Sequence, residues 1–93
     1  MDFLDVFNAA AQNAVYRADD IKNATNYDQE PVDLGIDSLD MIMVVAILAD
    51  AYGIPDDLEF DNVSRVTVGT VRDFVDKHKT QEPESLEEVM EAA

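Results

Sequence analysis

Apolar residues recur at the spacing of one helical face in several stretches of the chain, and polar stretches separate them. The first stretch covers residues 2–17, where Asp2 can cap a helix and Asp5 stands three residues later. Its apolar positions predict a helix that packs into the core: Phe3, Val6, Phe7, Ala10 and Ala14, with Leu4, Ala11 and Val15 beside them.

The second helix is predicted from Ser38 to Tyr52, and it is apolar around most of its circumference. One face is assigned to the core: Met41, Val44, Val45, Leu48 and Tyr52. A second set of apolar residues cannot point the same way: Leu39, Ile42, Met43 and Ala46. Such a helix is either deeply buried between its neighbours or presents a second surface to a partner. Both interpretations remain open at this point.

The C-terminal third of the chain predicts one more core helix and an acidic extension. Thr67 is a suitable N-cap for a helix over Val68 to Lys79, and residues 61–66 could form a short helical turn. Beyond it, Pro83 can start a helix in which apolar and acidic residues separate onto two faces. The apolar positions are Leu86, Val89, Met90 and Ala93. We therefore expect a short amphipathic helix, ordered at least in part.

A long polar segment, residues 18–36, joins the first two helices. Because long loops in small domains are usually anchored or functional, we expect apolar side chains to fix it to the core. The candidates are Ile21, Tyr27, Val32 and Leu34. Pro31 is expected to keep the segment extended, and Gly35 to permit a turn before the second helix.

These elements predict an all-α fold, a small bundle of three main helices and one short helix, with a possible extra C-terminal helix. The core is expected to contain Phe3, Phe7, Val15, Val44, Leu48, Tyr52, Val71, Phe74 and Val75. We expect one helical domain over residues 1–79 and an acidic C-terminal extension over residues 80–93.

Charge and composition restrict the possible functions. The 93 residues carry 21 acids and 6 bases, a formal net charge of -15. This charge argues against binding nucleic acid or anionic membranes and favours cationic partner surfaces. Because residues 1–20 contain acids at Asp2 and Asp5 and no basic n-region, we expect no secretory signal. The longest apolar run, Met41 to Ala49, is too short to span a bilayer. We expect a cytoplasmic monomer without membrane insertion.

The residues of common catalytic and metal sites are missing or misplaced. There is no cysteine, and the acidic connector over residues 56–61 lacks the glycine and glutamate spacing of an EF-hand loop. No metal site is predicted. A nucleophilic serine needs a base and a strained elbow such as G-x-S-x-G, and His78 better suits a cation at a helix end. We expect a protein that is not an enzyme.

The candidate site is the start of the second helix. Asp37 is a good N-cap, and Asp40 follows three residues later, as in a capping box with Asp in place of Glu. Ser38 then occupies the first helical position, and its hydroxyl is not needed for capping. Free backbone N–H groups and the positive end of the helix dipole favour a phosphate there.

The segment from Asp33 to Asp40 reads DLGIDSLD and resembles the attachment motif of acyl carrier proteins. The resemblance extends over residues 3–78. It implies that Ser38 carries a 4'-phosphopantetheine arm derived from coenzyme A, with Gly35, Asp37 and Leu39 shaping the attachment site. It also implies a phosphopantetheinyl transferase that uses magnesium, and a thioester on the arm, since the chain has no sulfur nucleophile of its own.

The same resemblance implies further partners: a ligase or acyltransferase that loads the arm, and synthases or transferases of fatty-acid, lipid or polyketide-type biosynthesis. The second helix departs from the acid-rich pattern of fatty-acid carriers, which indicates a specialised pathway with basic or apolar docking patches on its enzymes. The candidate docking residues are Asp40, Ile42, Met43, Ala46 and Asp50. The alternative is an acidic helical interaction or cation-responsive regulatory module without a prosthetic group.

Overall fold

The computed structural model describes residues 2–14, 21–55 and 66–91. Within these ranges the chain is helical and contains no strand, which confirms the all-α prediction. Its elements are α1 (Phe3–Ala14), a 3-10 turn (Pro31–Leu34), α2 (Ser38–Ala51), α3 (Val68–His78) and α4 (Leu86–Glu91). None of the described helices is long and apolar enough to cross a bilayer. Val15, the acidic connector and most of the predicted turn over residues 61–66 lie outside the described ranges.

Helices α1 and α2 form the largest helix pair among the described elements. Phe3, at the start of α1, stacks its ring on that of Tyr52, just past the end of α2, with the centroids 6.2 Å apart. Near the opposite ends, the side-chain amide of Gln12 donates to Asn23 Oδ1 at 3.4 Å, and the N–H of Lys22 donates to the carbonyl of Leu34, just before α2, at 2.8 Å. The end of α1 therefore lies near the start of α2, and the two helices run antiparallel. This relation gives the bundle two distinct ends, one marked by Tyr52 and the other by Ser38.

The core follows the predicted helical faces closely. Of the nine residues expected to form the core, those in the described ranges are buried except Phe74, which is half-buried and packs its ring against His78 with the centroids 5.0 Å apart. Leu4, Ala14 and Val45, which were assigned to core-facing positions, are also only half-buried. The largest fully buried side chains come from all of the helices and from the segment before α2: Phe7, Ile36, Leu48, Val6, Val44, Val68, Val71, Val75 and Val89. Burial of each such side chain contributes roughly 1.5–3 kcal/mol.

Side-chain amides and backbone hydrogen bonds fix the segment between α1 and α2. Asn8 on α1 pairs with both backbone groups of Ala24, accepting from its N–H at 2.7 Å and donating to its carbonyl at 3.0 Å. The N–H of Val68 at the start of α3 donates to the carbonyl of Gln29 at 2.9 Å. Ile21 and Leu34 are buried and Tyr27 is half-buried, as predicted.

Two expectations for this segment are wrong. Val32 is 69% exposed and anchors nothing. Pro31 starts a 3-10 turn instead of continuing an extended chain, because a first helical turn tolerates proline, which lacks an N–H. In a three-residue period, Pro31 and Leu34 share the buried side, and the two residues between them, Val32 and Asp33, are exposed.

The C-terminal extension is ordered through Glu91 and packs on the bundle. Val89 is fully buried, and the side-chain amide of Asn13 donates to the backbone carbonyl of Met90. The helix begins at Leu86, not directly after Pro83, which is buried ahead of it. Only part of its predicted apolar face is inside, since Leu86 and Met90 remain 39% and 51% exposed.

Candidate functional site

The segment that leads into α2 is tied down on both sides of Gly35. This glycine adopts the left-handed conformation, with φ 88°, which a residue with a Cβ rarely tolerates. Its N–H donates to the carbonyl of Val32 at 3.2 Å, and the N–H of Ile36 donates to that of Pro31 at 2.9 Å. Leu34 and Ile36 are both buried. The chain therefore reaches α2 along one defined path.

Asp37 caps α2 as predicted. Its backbone is extended, with φ -83° and ψ 178°, and its carboxylate accepts the N–H of Asp40 at 2.8 Å. The reciprocal bond of a full capping box, from the side chain at Asp40 to the cap N–H, is not formed, because the aspartate side chain is one methylene shorter than that of glutamate. Asp37 alone caps this end of the helix.

Ser38 follows the cap with its hydroxyl unengaged. The residue is exposed, and no described group hydrogen-bonds its side chain or its N–H. Ser85, just before α4, provides the contrast: its hydroxyl accepts the N–H of Glu88 at 3.2 Å. One serine at a helix start is occupied by capping, whereas Ser38 presents a free hydroxyl and a free N–H at the positive end of the α2 dipole.

The second apolar set of α2 lies on the surface, so the interpretation of deep burial is wrong. Leu39 is 75% exposed, Ile42 62% and Met43 50%, and Ala46 is also exposed. We call these four residues the open face of α2. The opposite side is buried through Met41, Val44, Ile47, Leu48 and Ala51. An apolar surface therefore begins directly beside the free hydroxyl.

Acidic side chains border the open face. Asp37 and Asp50 are exposed near its two ends, and Asp40 is half-buried between them. Val32, which precedes them in the 3-10 turn, adds a further exposed apolar side chain. The sequence analysis did not predict that Val32 is exposed, because it treated the segment as extended. A three-residue period starting at Pro31 would have placed Val32 on the solvent side.

The described residues show no catalytic arrangement around Ser38. No described histidine or carboxylate hydrogen-bonds its hydroxyl, and His78, at the end of α3, packs against Phe74. The described ranges also contain no group of three or more His, Cys, Asp or Glu residues placed to hold a metal ion. Within the described ranges, Ser38 therefore has no general base in hydrogen-bond contact.

Comparison with known proteins adds no relative. No family model, curated protein or solved structure matches the chain. The functional interpretation therefore depends on the residues and geometry described above.

Proposed function

We propose that this protein is an acyl carrier that holds an acyl group as a thioester on a 4'-phosphopantetheine arm attached to Ser38. The observation that supports this proposal is the free hydroxyl of Ser38, exposed at the first position of α2 directly after a separate capping aspartate. A serine that capped its own helix would have its oxygen occupied, as Ser85 does. This one is available for a covalent bond.

The attachment is a phosphoryl transfer in which coenzyme A supplies the arm. The Ser38 oxygen forms a bond to the phosphorus that bears the pantetheine, and the pyrophosphate bond breaks so that the adenosine half leaves as adenosine 3',5'-bisphosphate. The serine proton passes to a base of the transferase. The free N–H groups of the first helical turn would hold the phosphate of the arm, because the helix dipole stabilises an anion there by about 0.3–1 kcal/mol. The arm would supply the thiol for the thioester.

The surface around Ser38 fits partner enzymes of mixed character. The open face offers apolar contact area, including the adaptable thioether of Met43, while Asp37, Asp40 and Asp50 favour basic groups at its edge. A net charge of -15 would speed encounter with a cationic partner, and added salt would weaken that steering. We place the enzymes that load and unload the arm on this face.

Intact-mass measurement tests the proposal directly. Incubation with a broad-specificity phosphopantetheinyl transferase, coenzyme A and magnesium should add the mass of one phosphopantetheine group. The Ser38→Ala variant should gain nothing, whereas Ser85→Ala, the matched serine at another helix start, should gain mass like the parent. No gain in the parent protein, or an equal gain in Ser38→Ala, would refute the carrier function.

The second candidate is an acidic helical interaction module, or a cation-responsive regulatory module, without a prosthetic group. Its support is the charge alone, 21 acids against 6 bases. It gives Ser38 no role, so it expects no mass gain in the transferase assay. The two candidates thus separate in the same experiment.

A further inference from the structure

We propose that α4 contributes to the surface that the enzyme acting on Ser38 contacts, with Met90 as its apolar contact residue. This inference rests on the proposed carrier function and assigns a role to the C-terminal extension, which lies beyond the residues of the attachment motif and the open face.

The path of the C-terminal segment shows where α4 lies between the two ends of the bundle. It begins at the Tyr52 end of the bundle, where the N–H groups of Thr80 and Gln81 donate to the carbonyl of Tyr52 at 2.9 and 3.2 Å. It ends beside α1, where Asn13 hydrogen-bonds the carbonyl of Met90. The segment therefore runs back along the bundle, and α4 packs against both α1 and α2.

The antiparallel pairing of α1 and α2 allows the position of Met90 along the axis of the bundle to be estimated. Asn13 lies ten residues beyond Phe3, a rise of roughly 15 Å along α1. Phe3 contacts Tyr52, so the two residues have the same height along the bundle axis. Moving about 15 Å from Tyr52 towards the start of α2 reaches about Ile42, which is roughly one helical turn from Ser38. Met90 therefore lies at the Ser38 end of the bundle.

The usual size of a protein interface is large enough for an enzyme bound at Ser38 to contact Met90 as well. An enzyme that transfers a group to the Ser38 oxygen must seat its active site there. A standard interface covers roughly 800 Å² on each partner, a patch of about 16 Å radius. Such a patch centred on Ser38 is wide enough to include both the first turns of α2 and the end of α4, which packs against α2.

The chemistry of α4 continues that of the open face. Met90 is 51% exposed beside exposed acids at Glu87 and Glu88, which repeats the combination of apolar side chains and carboxylates found along α2. The occupant that this combination fits is an enzyme surface with an apolar centre and basic residues at its edge. Full burial of Val89 fixes α4 in this position.

The test compares two substitutions on the same helix. Met90→Gln keeps the length and helix propensity of the side chain and removes its apolar contact, and Leu86→Gln makes the matching change one turn further from Ser38. The kcat/KM for loading Ser38 by the same phosphopantetheinyl transferase should fall roughly three- to tenfold in Met90→Gln, mainly through KM, and less than twofold in Leu86→Gln.

Thermal unfolding and circular dichroism of each variant separate a contact effect from loss of α4. Unchanged kcat/KM in a folded Met90→Gln variant, or an equal fall in Leu86→Gln, would overturn the composite surface while mass gain at Ser38 still supported the carrier. Failure of the parent protein to accept the arm would overturn both proposals. Val89→Ala, which loosens α4, should also lower kcat/KM; a normal rate in that variant would contradict the inference.

Discussion

At the scale of single residues, Asp37 and Ser38 have separate roles at the start of α2. Asp37 satisfies a backbone N–H of the first turn at 2.8 Å, so the helix start is stable without any contribution from Ser38. The serine then occupies a position where its hydroxyl is neither buried nor bonded. Stability and function are therefore separable by mutation at this site.

Asp37→Ala should lower the free energy of unfolding by about 1 kcal/mol, the usual cost of a lost N-cap. Asp37→Asn should retain most of the stability, because asparagine caps a helix about as well as aspartate. Urea unfolding measures both. Ser38→Ala should change the stability far less than Asp37→Ala, and the reverse order would show that the cap has been assigned to the wrong residue.

A second prediction at this scale concerns Tyr52. Burial, assisted by the nearby carboxylates of Glu82 and Asp76, raises the pKa of its phenol to about 12 from an ordinary value of 10.0. The unfolded chain therefore loses this proton first. The stability that the neutral phenol contributes is complete below pH 10 and is lost as the pH rises towards 12.

Tyr52→Phe should remove this part of the alkaline loss. Free energies of unfolding measured between pH 9 and 12 should fall more steeply in the parent than in the variant. The other titratable groups are the same in both proteins, so the difference between the two curves isolates Tyr52. Parallel curves would contradict the raised pKa.

At the scale of elements, α2 has one face in the core and another in solvent, and both are apolar. Val44 and Leu48 are fully buried, whereas Leu39 and Ile42 are more than half exposed. A helix needs only one such face to fold. The open face therefore lowers the solubility of the protein without stabilising its core. This is the physical reason for proposing that the open face binds partners.

Met43→Glu should leave the fold intact, because the side chain is half exposed. If the proposed carrier function is right, the change should weaken acyl transfer to a dedicated partner enzyme, because it places a charge on the proposed docking surface. Val44→Ala, its neighbour in the core, should instead lower the free energy of unfolding by about 2 kcal/mol. Urea unfolding and transfer rates distinguish the two effects. A collapse of stability in Met43→Glu would show that Met43 belongs to the core.

The accuracy of the predictions made from the sequence differs from one element to the next. Helical periodicity located α1, α2 and α3, and the cap residues Asp37 and Thr67 matched their starts. Periodicity placed the core face of α2 correctly at Met41, Val44 and Leu48. It could not say whether the second apolar set was buried as well, since that depends on the neighbouring helices. Ile47 belonged to neither predicted set, and it is buried within the core cluster.

The junction between α2 and the C-terminal segment depended on contacts that no local pattern reveals. Gly53 has φ 65°, and its carbonyl accepts the hydroxyl of Thr80 at 2.6 Å. This pairing joins residues 27 positions apart in the chain. Sequence reasoning recognised the glycine as a helix terminator but could not find its partner.

Gly53→Ala should destabilise the protein by more than about 1 kcal/mol, because alanine is strained at positive φ. Its added Cβ would also collide with Thr80 Oγ1. Adding Thr80→Ala to Gly53→Ala should relieve the collision but not the backbone strain, so a double-mutant cycle in urea should show a coupling between the two sites. Strict additivity would contradict the contact.

At the scale of the whole molecule, the charge opposes the compact fold. A net charge of -15 on 93 residues creates self-repulsion that folding increases by bringing the carboxylates together. The ion pairs found in the described ranges, Arg72 with Asp73 and Lys79 with Asp76 and Glu82, involve largely exposed acids. Such pairs contribute little stability, so the repulsion among carboxylates outweighs the attraction within these pairs.

Added salt should therefore raise the melting temperature, because screening at about 0.15 M, where the Debye length is roughly 8 Å, weakens repulsion between surface carboxylates. Melting curves in NaCl and in MgCl2 at matched ionic strength separate two causes. Similar increases in both salts indicate screening alone, as the carrier function expects, whereas a far larger increase in MgCl2 would favour the cation-responsive module. A melting temperature that stayed flat from low to physiological salt would show that repulsion does not outweigh the ion pairs.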